Sequence, residues 1–251
     1  MKTKNEMRNA ECGVRNERTA PPAKSFRAPG SAPRAGFTLI ELLVVIAIMA
    51  VLAGLTLVVV GSLKRHEYLS VASGEMSEIE NALKNYHDKY GVYPPGNPNS
   101  PLENQLYYEL VGTTNIYPSP PRIFQALDGS FKIDADTLNS AFGVSGLVNS
   151  SQYNGGEDGV IAQNFLLGLR ANRVGNSETN GQWVSNLVTS VRGPDVNYKP
   201  LGVPDVNPFR YVYPGTNNPD AYDLWVQLSI GGKTYLVCNW SKQNPINSPL
   251  P

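Results

Sequence analysis

Of residues 42–60, thirteen are Leu, Ile or Val, and the others are Ala47, Met49, Ala50, Ala53, Gly54 and Thr56. An uncharged run of this length exceeds the roughly 18 residues read as a membrane-spanning helix. After Lys64-Arg65-His66-Glu67 the pattern becomes amphipathic. Tyr68, Val71, Ala72, Met76, Ile79, Leu83, Tyr86 and Tyr90 recur at steps of three or four, giving one helical stripe that needs a partner surface. No proline occurs between Phe37 and Val92, so the two segments are predicted to run as one helix, ended by Gly91 and Pro94-Pro95. Over residues 37–63 that helix would be about 40 Å long, more than a hydrocarbon core of roughly 30 Å, and is expected to tilt.

The end of the chain alternates with period two. Residues 209–213, 222–230 and 233–240 read as a three-stranded antiparallel meander, with Gly231-Gly232 as a two-residue hairpin turn. Counting back from that turn opposes Leu228 to Tyr235 and Val226 to Val237. These four make an apolar face predicted to cover the helical stripe. Trp225, Leu236 and Cys238 then occupy the opposite face, under the middle region. Between helix and sheet, residues 91 to about 200 are rich in Pro, Gly, Asn and Ser. Short helices are predicted there at 105–111 and 159–172, the second with Asp158 as N-cap and Val160, Ile161, Asn164, Phe165 and Leu169 as its stripe.

The fold class expected is therefore α+β: a long N-terminal helix, membrane-spanning over 37–63 and amphipathic over 64–90, packed on a small antiparallel sheet within 201–251. Residues 91–200 form an irregular region with short helices, and residues 1–36 precede the helix as a basic leader. The leader holds eight basic residues against Glu6, Glu11 and Glu17, about +5, which leaves about −5 on the remainder of a chain that is neutral by count. A basic segment ahead of a span stays cytoplasmic, so the C-terminal head lies across the membrane. Nucleic acid is not the partner implied. Cys12 falls in the leader, so the remainder keeps Cys238 alone and cannot close an internal disulfide. With no basic neighbour, Cys238 reads as a small buried strand residue.

Glu41 is the one carboxylate among these aliphatic residues. Burying it in lipid costs of order 2.5 to 3.5 kcal/mol at a helix centre, although near the helix end the thirteen aliphatic side chains outweigh it. It calls for a cationic partner. A free amine at residue 37 would lie four residues before it, on the same helix face or on an adjacent subunit.

The run Arg34-Ala35-Gly36-Phe37-Thr38-Leu39-Ile40-Glu41, followed by unbroken apolar sequence, resembles the prepilin cleavage and methylation motif of type IV pilins and type II secretion pseudopilins. The resemblance implies removal of residues 1–36 by a prepilin peptidase cutting between Gly36 and Phe37. It also implies N-methylation of Phe37 by the same enzyme and filament assembly involving Glu41. An ordinary signal peptide cut after Val51-Leu52-Ala53 is the alternative, against which stand Glu41 and an apolar run longer than the usual 7 to roughly 15 residues. Many family members place a proline late in the apolar segment; here any loosening would rest on Gly54 and Gly61. Tyr86-His87-Asp88-Lys89-Tyr90 and Tyr93-Pro94 again resemble pseudopilins, and His66 and His87 read as solvated helix residues.

Asn207-Pro208-Phe209-Arg210-Tyr211-Val212-Tyr213-Pro214-Gly215, Tyr222-Asp223-Leu224-Trp225 and Cys238-Asn239-Trp240 resemble the C-terminal region of the major, G-type pseudopilin. That family carries an acidic calcium loop before its final Asn-Trp. The corresponding Ser229-Ile230-Gly231-Gly232-Lys233 has no carboxylate, so no metal site and no cofactor are expected. Asp134 and Asp136 open like a calcium loop, but Asn139 and Ser145 stand where Gly and Glu are needed, leaving a polar turn. Residues 154–159 lack the Lys-Ser/Thr of a phosphate loop. The protein expected is thus a non-enzymatic pseudopilin of a type II secretion-like filament. Its expected partners are prepilin peptidase, other pseudopilin subunits, an inner-membrane assembly platform and membrane lipid. Its expected place is the bacterial inner membrane, with the head periplasmic. The alternatives are a type IV pilin or minor pilin for adhesion, motility or DNA uptake, and a pilin-anchored head that binds a ligand.

Overall fold

Residues 36–117, 119–152, 161–192 and 195–247 are described by the computed structural model, without the side chains of residues 55–62. They fall into two units, Met1–Val51 and Leu52–Pro251. Helix α1, Leu39–Tyr90, contributes to both and is uninterrupted, as the absence of proline predicts. It begins two residues later than expected, leaving Phe37 and Thr38 outside.

In the first unit the apolar side chains of α1 have no cover: Leu39 is 81% exposed and Met49 64%. Among the described residues no helix is long and apolar enough to cross a membrane. The predicted span 42–60 runs into residues 55–60, whose side chains lie outside the described set.

In the second unit α1 packs one stripe into the core. Leu69, Ala72, Met76, Ile79, Ala82, Leu83 and Tyr86 are buried, whereas Val71 is exposed. Val71 fits the predicted stripe by its step of three, but Ala72 takes the inward position and rotates its neighbour out. Gly91, with φ 71°, ends the helix in the left-handed conformation. His66 is exposed, while His87 is half-buried and stacks on Tyr93 with ring centroids 4.5 Å apart.

The C-terminal sheet has the expected order and register. Strands β7 (Arg210–Val212), β8 (Asp223–Ile230) and β9 (Lys233–Cys238) are antiparallel, and Val226 faces Val237 while Leu228 faces Tyr235. β7 and β9 are shorter than read from sequence, and β8 starts one residue later. The four apolar partners join the same buried cluster as the α1 stripe. Complete burial of residues such as Ile79, Leu83 or Leu228 is worth about 1.5–3 kcal/mol each. Trp225, Leu236 and Cys238 form a separate small cluster on the other face, packed with Val212 and Trp240.

The middle region is more ordered than its composition suggests. Helix α2, Leu106–Val111, stands where expected. Strands β1 (Thr113–Asn115), β2 (Ile123–Ala126), β3 (Lys132–Asp134) and β4 (Ser150–Gln152) form a sheet of order β3-β2-β1-β4, with β1 and β4 parallel. Helix α3, Ala135–Phe142, replaces the polar turn predicted at Asp134. The Asp134 carboxylate is its N-cap, accepting from the Thr137 N–H, and Leu138, Ala141 and Phe142 are its buried face. β5 (Val174–Thr179) and β6 (Gln182–Leu187) form a hairpin turned by Asn180-Gly181, both at positive φ.

The helix predicted at 159–172 is absent from its described part: residues 161–170 are non-helical, and a single 3-10 turn occupies Ala171–Arg173. Asp158 and Val160 lie outside the described residues, as do 154–159 and the leader through residue 35. The cause is competition for backbone donors. Ala162 N–H donates to Ser151 Oγ, Gln163 N–H to Asn149 Oδ1 and Phe165 N–H to the Leu110 carbonyl, so none is left for a helical ladder. Gly112 permits the approach, since a Cβ there would meet the Gln163 carbonyl oxygen at 2.6 Å.

Candidate functional site

The first unit places the three residues singled out from sequence at and just before the start of α1. Gly36 and Phe37 precede α1 in an exposed, non-helical segment; Phe37 is 84% exposed and nothing lies within 4 Å of a Cβ added at Gly36. The Gly36–Phe37 peptide bond is thus open to an enzyme. Glu41 sits in the first turn of the helix. Its carboxylate accepts from Thr38 N–H at 2.9 Å and from Thr38 Oγ1 at 2.7 Å, and its own N–H donates to Thr38 Oγ1 at 3.3 Å.

That reciprocal pattern is a capping box. In the full-length chain, where the Phe37 nitrogen is a peptide nitrogen, the Glu41 carboxylate is met by Thr38. Thr38 was missed as a site residue although Thr38-x-x-Glu41 is the sequence pattern of the box. The box fixes where the helix begins. It also satisfies donors that would otherwise be orphaned at the helix N-terminus.

In the second unit, α1 is fastened to the middle region by polar contacts. Arg173, 5% exposed, pairs with Glu78 at 2.8 Å and Glu75 at 3.4 Å, and Glu75 also accepts from Thr189 Oγ1 and Ser190 N–H. Glu109, fully buried, accepts from Tyr86 Oη, Val148 N–H and Asn149 N–H, each at 2.9 Å. Burial pushes the Glu109 carboxyl above its ordinary value, with the three donors opposing it, and burial likewise pushes the Tyr86 phenol up. Tyr90 Oη donates to Asn149 Oδ1 at 2.7 Å.

At the Gly231-Gly232 hairpin the geometry favours an anion. Gly231 and Gly232 direct their N–H groups at the Asp195 carboxylate, which also accepts from Ser229 Oγ at 2.6 Å. These donors hold the Asp195 carboxyl below its ordinary value. Asp223 is fully buried and accepts from the N–H groups of Thr216, Asn217 and Asn218. Among the described residues no group of three or more His, Cys, Asp or Glu is placed to hold a metal ion. The Cys238 thiol, buried as expected, is pushed up by that burial.

Residues 32–57 match the family described as the prokaryotic N-terminal methylation motif. No curated protein and no solved structure matches the chain. The matched stretch contains Gly36, Phe37, Thr38 and Glu41. The chain therefore carries a motif of the type IV pilin and pseudopilin kind. The motif implies a structural subunit rather than an enzyme, processed by prepilin peptidase and assembled with other pilins, and it suggests an N-terminal helix anchored in the inner membrane.

Proposed function

We propose that the protein is a pseudopilin-type subunit of a type II secretion-like filament, cut between Gly36 and Phe37, methylated on Phe37 and assembled through α1. The observation that carries this reading is the coincidence of the matched motif with a helix whose apolar N-terminal side chains have no partner within the chain. An uncovered apolar helix of this kind is stable only in lipid or against other helices. In the assembled state the new Phe37 amine of one subunit pairs with Glu41 of the next, displacing the Thr38 contacts. The C-terminal resemblance to the G-type protein supports secretion over motility, with an inner-membrane assembly platform as partner and the head in the periplasm.

Expression with a prepilin peptidase, followed by intact-mass and N-terminal analysis of the membrane-extracted protein, tests the processing step. The expected terminus is methylated Phe37. A terminus at Gly54 would establish the signal-peptide alternative and remove the filament role. Gly36→Ala is a weak perturbation because a methyl group meets nothing there, whereas a bulky residue at position 36 is expected to block cleavage.

A further inference from the structure

The two buried guanidinium groups of the head are treated differently. Arg173 is matched by Glu75 and Glu78. Arg210, equally buried at 5% exposure, has no carboxylate within ion-pairing distance among the described residues. Among the described residues its only side-chain hydrogen bonds run from Nη2 to Tyr198 Oη at 3.0 Å and, at the long limit of 3.5 Å, from Nη1 to the Pro208 carbonyl. The buried carboxylates do not help, since Glu109 and Asp223 are satisfied by neutral donors of their own. Burying an uncompensated guanidinium is unfavourable, and desolvation duly lowers its proton affinity.

Directly across the ladder from Arg210 stands Trp225. Cross-strand partners share a sheet face, here the face turned away from the main core. Trp225 Nε1 is buried without a hydrogen-bond partner, the one orphaned buried side-chain nitrogen among the described residues. A residue whose cation lacks an anion thus stands across the ladder from one whose buried donor lacks an acceptor. β7 is an edge strand, and the cover over this spot is the segment carrying Tyr198, whose hydroxyl also donates to Gln227 Oε1. Tyr198 supplies Arg210 with a neutral oxygen where an anionic one is wanted.

The geometry points to a carboxylate-binding site on the outer face of the C-terminal sheet, with the Arg210 guanidinium and the Trp225 indole N–H as donors and Tyr198 as a displaceable cover. A carboxylate suits the donor set: it is planar, its two oxygens fit the guanidinium fork, a remaining lone pair takes the indole N–H, and its single charge balances one arginine. The carboxylate comes either from a side chain or terminus of a second copy, or from a free small acid.

The test uses full-length protein in detergent micelles with 15N-labelled indoles, whose three tryptophan resonances are assigned with Trp225→Phe. Sodium acetate is titrated against sodium chloride and acetamide. The expected result is a saturable shift of the Trp225 resonance with acetate alone, tightened in Tyr198→Phe and weakened roughly tenfold or more in Arg210→Lys, which keeps the charge but loses the fork. A Trp225 shift that changes on roughly hundredfold dilution without acetate assigns the carboxylate to a second copy. A shift seen only with acetate assigns it to a free acid. If the resonance is unmoved by dilution and by acetate up to about 100 mM, in both the unaltered protein and Tyr198→Phe, the site does not exist. An equal response to chloride or acetamide overturns it as well.

Discussion

Tyr86→Phe isolates the contact through which the long helix holds the buried acid. The substitution removes the hydroxyl that donates to Glu109 Oε2 at 2.9 Å, between two fully buried residues. It leaves the ring contacts with Tyr90 and Phe165 at 4.8 and 5.6 Å. At a pH above the raised pKa of Glu109, where the acceptor is a carboxylate, such a hydrogen bond contributes about 1.5–3 kcal/mol, and two backbone donors remain, so the expected loss is about 2 kcal/mol. Urea unfolding of the full-length protein in micelles, followed by tryptophan fluorescence, reads this as a lower midpoint at unchanged slope. In a Glu109→Gln background the same change should cost about 1 kcal/mol or less, because the acceptor is neutral.

The same pair sets a pH dependence. Glu109 has its pKa raised on folding by burial, so between the ordinary glutamate value and the raised one the folded chain binds more protons than the unfolded chain. Its contribution to stability is complete below the unfolded value and is lost as pH rises through the folded one. Tyr86→Phe takes a donor from the charged form and extends the decline to higher pH; Glu109→Gln abolishes this component. A cost below about 0.5 kcal/mol for Tyr86→Phe, or equal costs in the two backgrounds, would refute the assignment.

Glu41→Leu is expected to leave membrane insertion intact and impair assembly; cross-linked filaments of normal yield from this variant would sink the amine pairing. The head should melt at the same temperature in calcium and in chelator, because the Gly231-Gly232 turn offers N–H donors and Asp195 already occupies them; a rise of several degrees with calcium would contradict this. Arg173→Ala should lower stability by about 3–5 kcal/mol by stranding Glu75, whereas Lys84→Ala, which breaks an exposed pair with Asp88, should leave stability almost unchanged; denaturant midpoints compare the two.

The C-terminal sheet was legible because a two-residue turn pins its register: once Gly231-Gly232 is placed, every cross-strand partner follows. The α1 stripe was legible because a long 3.6-residue period repeats enough times to average out a misfit such as Val71. The middle region was not, for two reasons. Its strands β1, β3 and β4 are three residues each, too short for alternation to show, and the parallel pairing of Thr113 with Ser150 joins strands that have β2, β3 and α3 between them in the chain. The apolar spacing from Ile161 to Leu169 imitates a helix while Asn149 and Leu110 take its backbone donors. Two signals were present and unread: Asn180-Gly181 as a hairpin turn, and Asp134-x-x-Thr137 before Leu138 as a helix cap. At the N-terminus Gly36, Phe37 and Glu41 were readable as a motif, but the partner Thr38 was not, because the motif draws attention to charge and the box is a backbone device.

The fastenings of α1 to the middle region are staggered along the helix: Glu75 and Glu78 to Arg173, Tyr86 to Glu109, Lys89 to the Ile161 carbonyl and Tyr90 to Asn149. From Glu75 to Tyr90 they span about 22 Å of helix. A pull along the helix axis loads them side by side, in shear, and each carries a fraction of the tension. A pull across the axis peels them off in succession, each bearing the whole force in its turn. The head is therefore mechanically anisotropic, strongest against traction along the helix and weakest against leverage from the side.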